Sequence, residues 1–231
     1  MSGSDNNDRY RYNGNITDER LEVFLDMLHG DMPEYLYELE KYAGEKHVPV
    51  MRHQSAWCIK FFIEAMKVGR ILEVGTAIGY SALFMAWCGS DIKIDTIEKV
   101  KERIETAGEN FKKYDTGSQI TLLEGDAADV LDELVDNNQS YDMVFLDAAK
   151  AQYPAYLTAV EKLLRKGGVL ITDNVLQEGC ILESRYAVTR RDRTIHKRMR
   201  EFLDTLTHSP ETWNTMIIPA GDGIAVSTKV N

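Results

Sequence analysis

Four residues in the second half of the chain could do chemistry together. Asp147, Asp173 and Asn174 all offer hard oxygen donors, and Lys150 follows Asp147 by three positions. Such a set suits Mg²⁺, which takes one or two carboxylates, keeps waters and shares the rest of its octahedron with substrate oxygens. No His or Cys lies beside these residues, which disfavours zinc. Taken alone, Lys150 reads as an ordinary surface lysine. Near a metal ion and another cation an ammonium is more easily deprotonated, which makes Lys150 a candidate general base.

A second group precedes it. In RILEVGTAIGYS, residues 70 to 81, Ile71, Leu72 and Val74 form a short apolar run of the kind buried on both faces of a sheet. Gly75 ends the run, Gly79 follows, and Tyr80 to Trp87 reads as a helix. Glycines there let a ligand approach the backbone, and the helix start offers free N–H groups. The spacing is not that of a dinucleotide fingerprint, and a tight turn with no ligand would give the same pattern. Glu98 follows Gly79 by about 20 residues, an interval at which an acid suits the paired hydroxyls of a ribose.

These residues need an alternating chain to position them. Helical spacing runs over Thr17 to Leu28, Pro33 to Ala43 (with Asp31 as a helix start) and Val50 to Val68. Strands are expected at Ile92 to Ile97, Gln119 to Leu123, Asp142 to Leu146 and Val169 to Thr172. Helices between them cover Val100 to Tyr114, Ala127 to Val135 and Tyr153 to Leu164. Lys166-Gly167-Gly168 turns the chain into its fifth strand. A helix at Ile195 to Thr207 and a hairpin, Thr215 to Ile218 with Ile224 to Ser227, close the chain. The pattern implies a doubly wound, mostly parallel α/β sheet with helices on both faces and an antiparallel C-terminal hairpin. Ligands bind such sheets beyond the carboxyl ends of the strands. Five consecutive strands end there on Gly75, Glu98, Glu124-Gly125-Asp126, Asp147 and Asp173-Asn174. Any one of these acids alone reads as a helix cap or a solvated loop residue.

Length and composition bound the rest. The 231 residues, 44% hydrophobic and 28% charged, suit one domain with a full core. Residues 1–15 read as a flexible arm and 16–231 as a single domain: a helical layer at 16–68, then an α/β core at 69–231. Three scattered cysteines indicate neither a disulfide framework nor a zinc knuckle. No long apolar run or signal peptide is evident, so a cytoplasmic protein with no membrane partner is expected. A net charge of -10 argues against non-specific coating of nucleic acid. Within that acidic chain, Arg185, Arg190, Arg191, Arg193, Lys197, Arg198 and Arg200 cluster with a single acid, Asp192. The cluster is the strongest candidate in the chain for a phosphate-contacting patch, with Tyr186 and His196 placed to stack on bases; the alternative is a solvated helix face with salt bridges to acidic neighbours.

Together the motifs resemble the class I S-adenosylmethionine-dependent O-methyltransferases, in the metal-dependent branch that contains catechol and caffeoyl-CoA O-methyltransferases. The resemblance covers residues 45 to 229 and rests on LEVGTAIGYSA, the Glu98 strand end, GDA at 125–127, FLDAAKAQY at 145–153 and ITDNV at 171–175. Within that branch the chain looks most similar to bacterial tRNA 5-hydroxyuridine methyltransferases, through HVPVM at 47–51 and IIPAGDGIAVS at 217–227 as well.

The resemblance implies a seven-stranded Rossmann-like methyltransferase sheet. It implies S-adenosylmethionine held by Val50, Glu73, Gly75, Thr76, Gly79, Tyr80, Ser81, Glu98, Asp126, Ala127 and Asp147, and Mg²⁺ held by Asp147, Asp173 and Asn174. Lys150 and Asp147 would be catalytic, and Tyr153 a substrate contact. It also implies a homodimer. The expected activity is methylation of the 5-hydroxyl of 5-hydroxyuridine at the tRNA wobble position, with Arg185, Arg190, Arg191, Arg193, Lys197 and Arg198 contacting the anticodon region. The alternative is methylation of a small catechol-like or caffeoyl-CoA-like phenol, since both acceptor types present two adjacent oxygens.

Overall fold

A computed structural model describes residues 19–184 and 186–231. The arm at residues 1–15 and Arg185 lie outside the described residues. Three helices come first: α1 (Glu19–Leu28), α2 (Glu34–Lys46) and α3 (His53–Met66). Strands and helices then alternate: β1 (Arg70–Val74), α4 (Tyr80–Trp87), β2 (Lys93–Glu98), α5 (Lys101–Tyr114), β3 (Ile120–Glu124), α6 (Ala127–Asp136), β4 (Tyr141–Leu146), α7 (Tyr153–Leu163) and β5 (Leu164–Thr172). Last come α8 (Arg193–His208), β6 (Trp213–Ile218) and β7 (Ile224–Lys229).

The seven strands form one sheet in the order β3-β2-β1-β4-β5-β7-β6. The first five are mutually parallel, and β7 runs antiparallel between β5 and β6. Alternate side chains feed two cores, as the pleat requires. Ile71, Met143, Phe145, Val169 and Ile171 pack toward α2, α3 and α4. Leu72, Val74, Val144, Leu146 and Leu170 pack toward α7 and α8. Strand order reverses between β1 and β4, which opens a crevice at their carboxyl ends.

Three local expectations change. The third helix starts at His53 rather than Val50: its N-cap, Arg52, is itself extended, with φ -72 and ψ 154, which stops the helix from continuing upstream. Asp31 does not cap the second helix, whose N-cap is Pro33 with no side-chain bond. The Lys166-Gly167-Gly168 turn is folded into β5 as an irregularity between Leu164 and Val169. Asp142 secures it by accepting from Arg165 and from the N–H groups of Gly69 (2.9 Å) and Arg70 (2.8 Å).

Candidate active site

A cavity of about 540 Å³ occupies the crevice. One end is built by the turn after β1. Gly75 has φ +109, and a Cβ there would collide with the Asp147 carbonyl oxygen, so only glycine lets the two strand ends close up. Gly75 N and Thr76 N both donate to Ile97 O at 3.1 Å. The Glu98 carboxylate accepts from Ala77 N (3.0 Å), Lys99 N and Val100 N (both 2.9 Å). The first and second strand ends are thereby fixed relative to one another, and Gly125 N, donating to Glu98 O at 2.9 Å, ties the third to them.

The expected cofactor residues divide into two groups. Val50, Gly75, Thr76, Tyr80, Ser81, Glu98, Ala127 and Asp147 line the cavity. Three others support it from behind. Glu73 is fully buried and accepts hydroxyl hydrogen bonds from Ser81 and Thr96. Its burial pushes the carboxyl up to about 7, against the opposing effect of those hydroxyls. Gly79 is the N-cap of α4, with φ +86. Asp126 caps α6 by accepting from Ala128 N at 3.1 Å and pairs with Lys99 at 3.2 Å.

The other end is acidic. Asp147 opens onto the cavity and receives no side-chain hydrogen bond among the described residues. Burial, and then the neighbouring Asp173 charge, push its carboxyl up to about 6, while Lys150 opposes them. Asp173 is 1% exposed, and burial raises its carboxyl too. Its Oδ1 accepts from Ser55 Oγ at 2.9 Å and from Asn174 N at 2.8 Å, so Oδ2 is the oxygen left open. Asn174 sits at φ +55, a left-handed conformation that Asn tolerates.

The hairpin turn between β6 and β7 holds this segment down. Val175 N donates to Gly223 O and Leu176 N to Asp222 O, both at 3.0 Å. The Asp222 carboxylate takes the Glu178 N–H. Two buried polar atoms here, Thr172 Oγ1 and Gln177 Nε2, have no hydrogen-bond partner among the described residues.

Two desolvated carboxylates facing one lysine are short of positive charge, and a buried anion is costly unless paired. The donor chemistry of Asp147, Asp173 and the Asn174 amide therefore fits a hard divalent cation. Among the described residues no three His, Cys, Asp or Glu side chains gather for a metal, so Asn174 is needed to complete such a set.

Several expected contacts lie elsewhere. Tyr153 belongs to the core: it is fully buried, its hydroxyl donates to Leu146 O at 3.4 Å, and its ring packs on Phe202. His196 is buried as well, against Glu183 O at 3.1 Å, so it cannot stack on a base. Arg193 Nε and Arg200 Nε tie down the carbonyls of Val188 and Ile181, and Lys197 pairs with Glu201 at 3.3 Å. Arg190, Arg191, Arg198 and Tyr186 remain exposed, beyond the cavity walls. Ser55, Arg52, Glu178 and Asp222 were not expected from the sequence. Each lies far along the chain from the acids it meets, and the Asp222 turn signals only a hairpin.

Residues 28–230 match the family model described as O-methyltransferase. The chain belongs to the O-methyltransferase family. It is 29% identical over 143 residues to the catechol O-methyltransferase of Niastella koreensis, across 61% of this chain and 64% of that protein. Its fold matches a Staphylococcus aureus structure described as a "putative caffeoyl-CoA O-methyltransferase", with TM-score 0.83 and 32% identity, across 91% of this chain and 99% of the other. The SAH-bound Podospora anserina methyltransferase PaMTH1 matches with TM-score 0.79 and 25% identity, across 92% and 95%. The seven-stranded sheet is thus the Rossmann-like methyltransferase fold.

Proposed function

We propose that this O-methyltransferase uses S-adenosylmethionine and Mg²⁺ to methylate one of two adjacent oxygens on a small catechol-like or caffeoyl-type phenol. The observation that carries the reading is the pair of carboxylates, half-buried Asp147 and buried Asp173, facing Lys150 at one end of the cavity whose other end is the Gly75–Glu98 wall. The names borne by the catechol and caffeoyl-CoA relatives support the acceptor class.

In this reading the Gly75–Ala77 turn holds the methionine part of the cofactor, Glu98 its ribose, and Gly125 and Ala127 flank its base. Asp147, Asp173 and Asn174 would hold the cation. Such an ion lowers the proton affinity of a bound hydroxyl and favours an acceptor with two adjacent oxygens. Lys150 Nζ takes the hydroxyl proton. Bound against the Gly75–Glu98 wall, the cofactor would supply the methyl group to that oxygen, with the electrons of the broken carbon–sulfur bond returning to its sulfur. Val50, Met51 and Tyr156 on the cavity wall keep water away and align the reactants, which supplies several kcal/mol of the barrier.

A second acceptor, 5-hydroxyuridine at the tRNA wobble position, is favoured by one observation. Arg190, Arg191 and Arg198 are exposed cations that form no ion pair among the described residues, on an otherwise acidic protein, and Tyr186, a few residues before them, is exposed as well. Its 5-hydroxyl and 4-carbonyl offer the same pair of oxygens. Product mass spectrometry on caffeic acid, on catechol and on tRNA carrying 5-hydroxyuridine tests both readings. Chelator-sensitive methylation of the phenols supports the first, and methylation of tRNA alone replaces it with the second. Leu21, Val23, Phe24, Met27 and Leu28 expose an apolar face on α1, which supports a homodimer through the N-terminal helices. Light scattering on Phe24→Glu should then report a monomer.

A further inference from the structure

Four cationic side chains line the cavity, and one of them is neither paired with an acid of the wall nor used by the proposed reaction. Lys99 pairs with Asp126 at 3.2 Å and Arg103 approaches Glu98 at 3.9 Å, both at the Glu98 end. Lys150 faces Asp147, Asp173 and Asp222. Arg52 has neither an ion pair nor a side-chain hydrogen bond among the described residues, and the charge it faces is Asp222.

Two contacts fix where Arg52 stands. Ser55, one turn further along α3, is bonded to Asp173 Oδ1 at 2.9 Å, so the start of this helix is fastened to the acidic end. The Arg52 stem lies over Gly221 of the hairpin turn, where a Cβ would stand 3.4 Å from Arg52 Cδ. Gly221 has φ +58, so glycine is favoured there on backbone grounds too. The stem is packed while the charged head stays at the cavity.

We propose that Arg52 is an anion subsite. It would bind a carboxylate or phosphate that the acceptor carries away from its two reacting oxygens. A guanidinium is permanently charged, and its planar fork fits either oxyanion with paired hydrogen bonds. Asp222 alone does not occupy that fork. The inference rests on the proposed methyl transfer, and it names the feature by which acceptors of equal reactivity are told apart.

Two matched acceptor pairs test it. 3,4-Dihydroxybenzoate and 3,4-dihydroxybenzamide differ by a carboxylate. 5-Hydroxyuridine 5′-monophosphate and 5-hydroxyuridine differ by a phosphate. Wild type should prefer the anionic member of at least one pair by about tenfold in kcat/KM, mostly through KM, as a charge-assisted hydrogen bond provides. Arg52→Gln should bring that ratio near one, and Arg52→Lys, which keeps the stem and the charge without the fork, should fall between. The responding pair identifies the oxyanion. Equal ratios in wild type and both variants, including no preference at all, overturn the subsite. Methylation of none of the four by wild type overturns the proposed function and the subsite with it.

Discussion

Asp173 is the residue on which most of the site converges. It is buried, it shares the acidic end with Asp147, and Ser55 and Asn174 N occupy one of its oxygens. Asp173→Ala should abolish metal-stimulated turnover yet leave cofactor binding by calorimetry nearly intact; equal loss of both would contradict its placement. Ser55→Ala is subtler. It removes the hydroxyl that orients the acid, and should raise the metal concentration for half-maximal activity by about 10-fold.

Glu73 gives a prediction in pH. Its folded-state value, about 7, lies above the ordinary 4.5, with burial as the largest cause. The fold therefore favours the protonated form. That contribution is complete below about 4.5 and is lost as pH rises through about 7. Glu73→Gln stays neutral, so its Tm should gain on that of wild type between about pH 5 and pH 8. A difference that stays constant over this range would show that Glu73 does not titrate there.

At the scale of elements, the terminal hairpin decides how the segment after Asp173 is held. Gly223 has φ +81, and a Cβ there would collide with the Leu176 side chain. Gly223→Ala should destabilise the protein by about 2–4 kcal/mol in urea unfolding, combining backbone strain with overpacking. Stability within about 0.5 kcal/mol of wild type would mean that the hairpin is not clamped there.

The same elements show what a sequence can carry. The helix YSALFMAW spans Tyr80–Trp87 as its apolar run implies, and the strand ends gather their acids because a parallel sheet puts them on one edge. Local pattern failed where packing decides. The apolar Val50 and Met51 extend the helical spacing of α3 upstream, yet both lie outside the helix and line the cavity. Tyr153 and His196 look like ligand contacts by type, and both are core residues. Ser55 and Asp173 meet across 118 positions of chain, a pairing that no local spacing announces.

For the whole molecule, one crevice at the reversal of strand order brings the Gly75–Glu98 wall and an acidic end together, while the exposed cations around the start of α8 stay outside. No helix among the described residues is long and apolar enough to cross a membrane. The -10 net charge disfavours anionic partners except where cations are locally exposed. Chemistry therefore belongs to the cavity, and the choice of a large partner would belong to the outer surface. Reversing Arg190, Arg191 and Arg198 to Glu should leave methylation of a small phenol within about twofold of wild type, whereas a tRNA acceptor should lose its affinity together with much of its salt dependence.

The most direct test of the central claim is methyl transfer to caffeic acid from S-adenosylmethionine, followed by product mass spectrometry across a titration of Mg²⁺ and chelator, with Asp173→Ala in parallel. The account predicts a monomethylated product that disappears on chelation, returns when Mg²⁺ is restored and is absent in the variant. Methylation that persists in excess chelator, or that survives in Asp173→Ala, would contradict it.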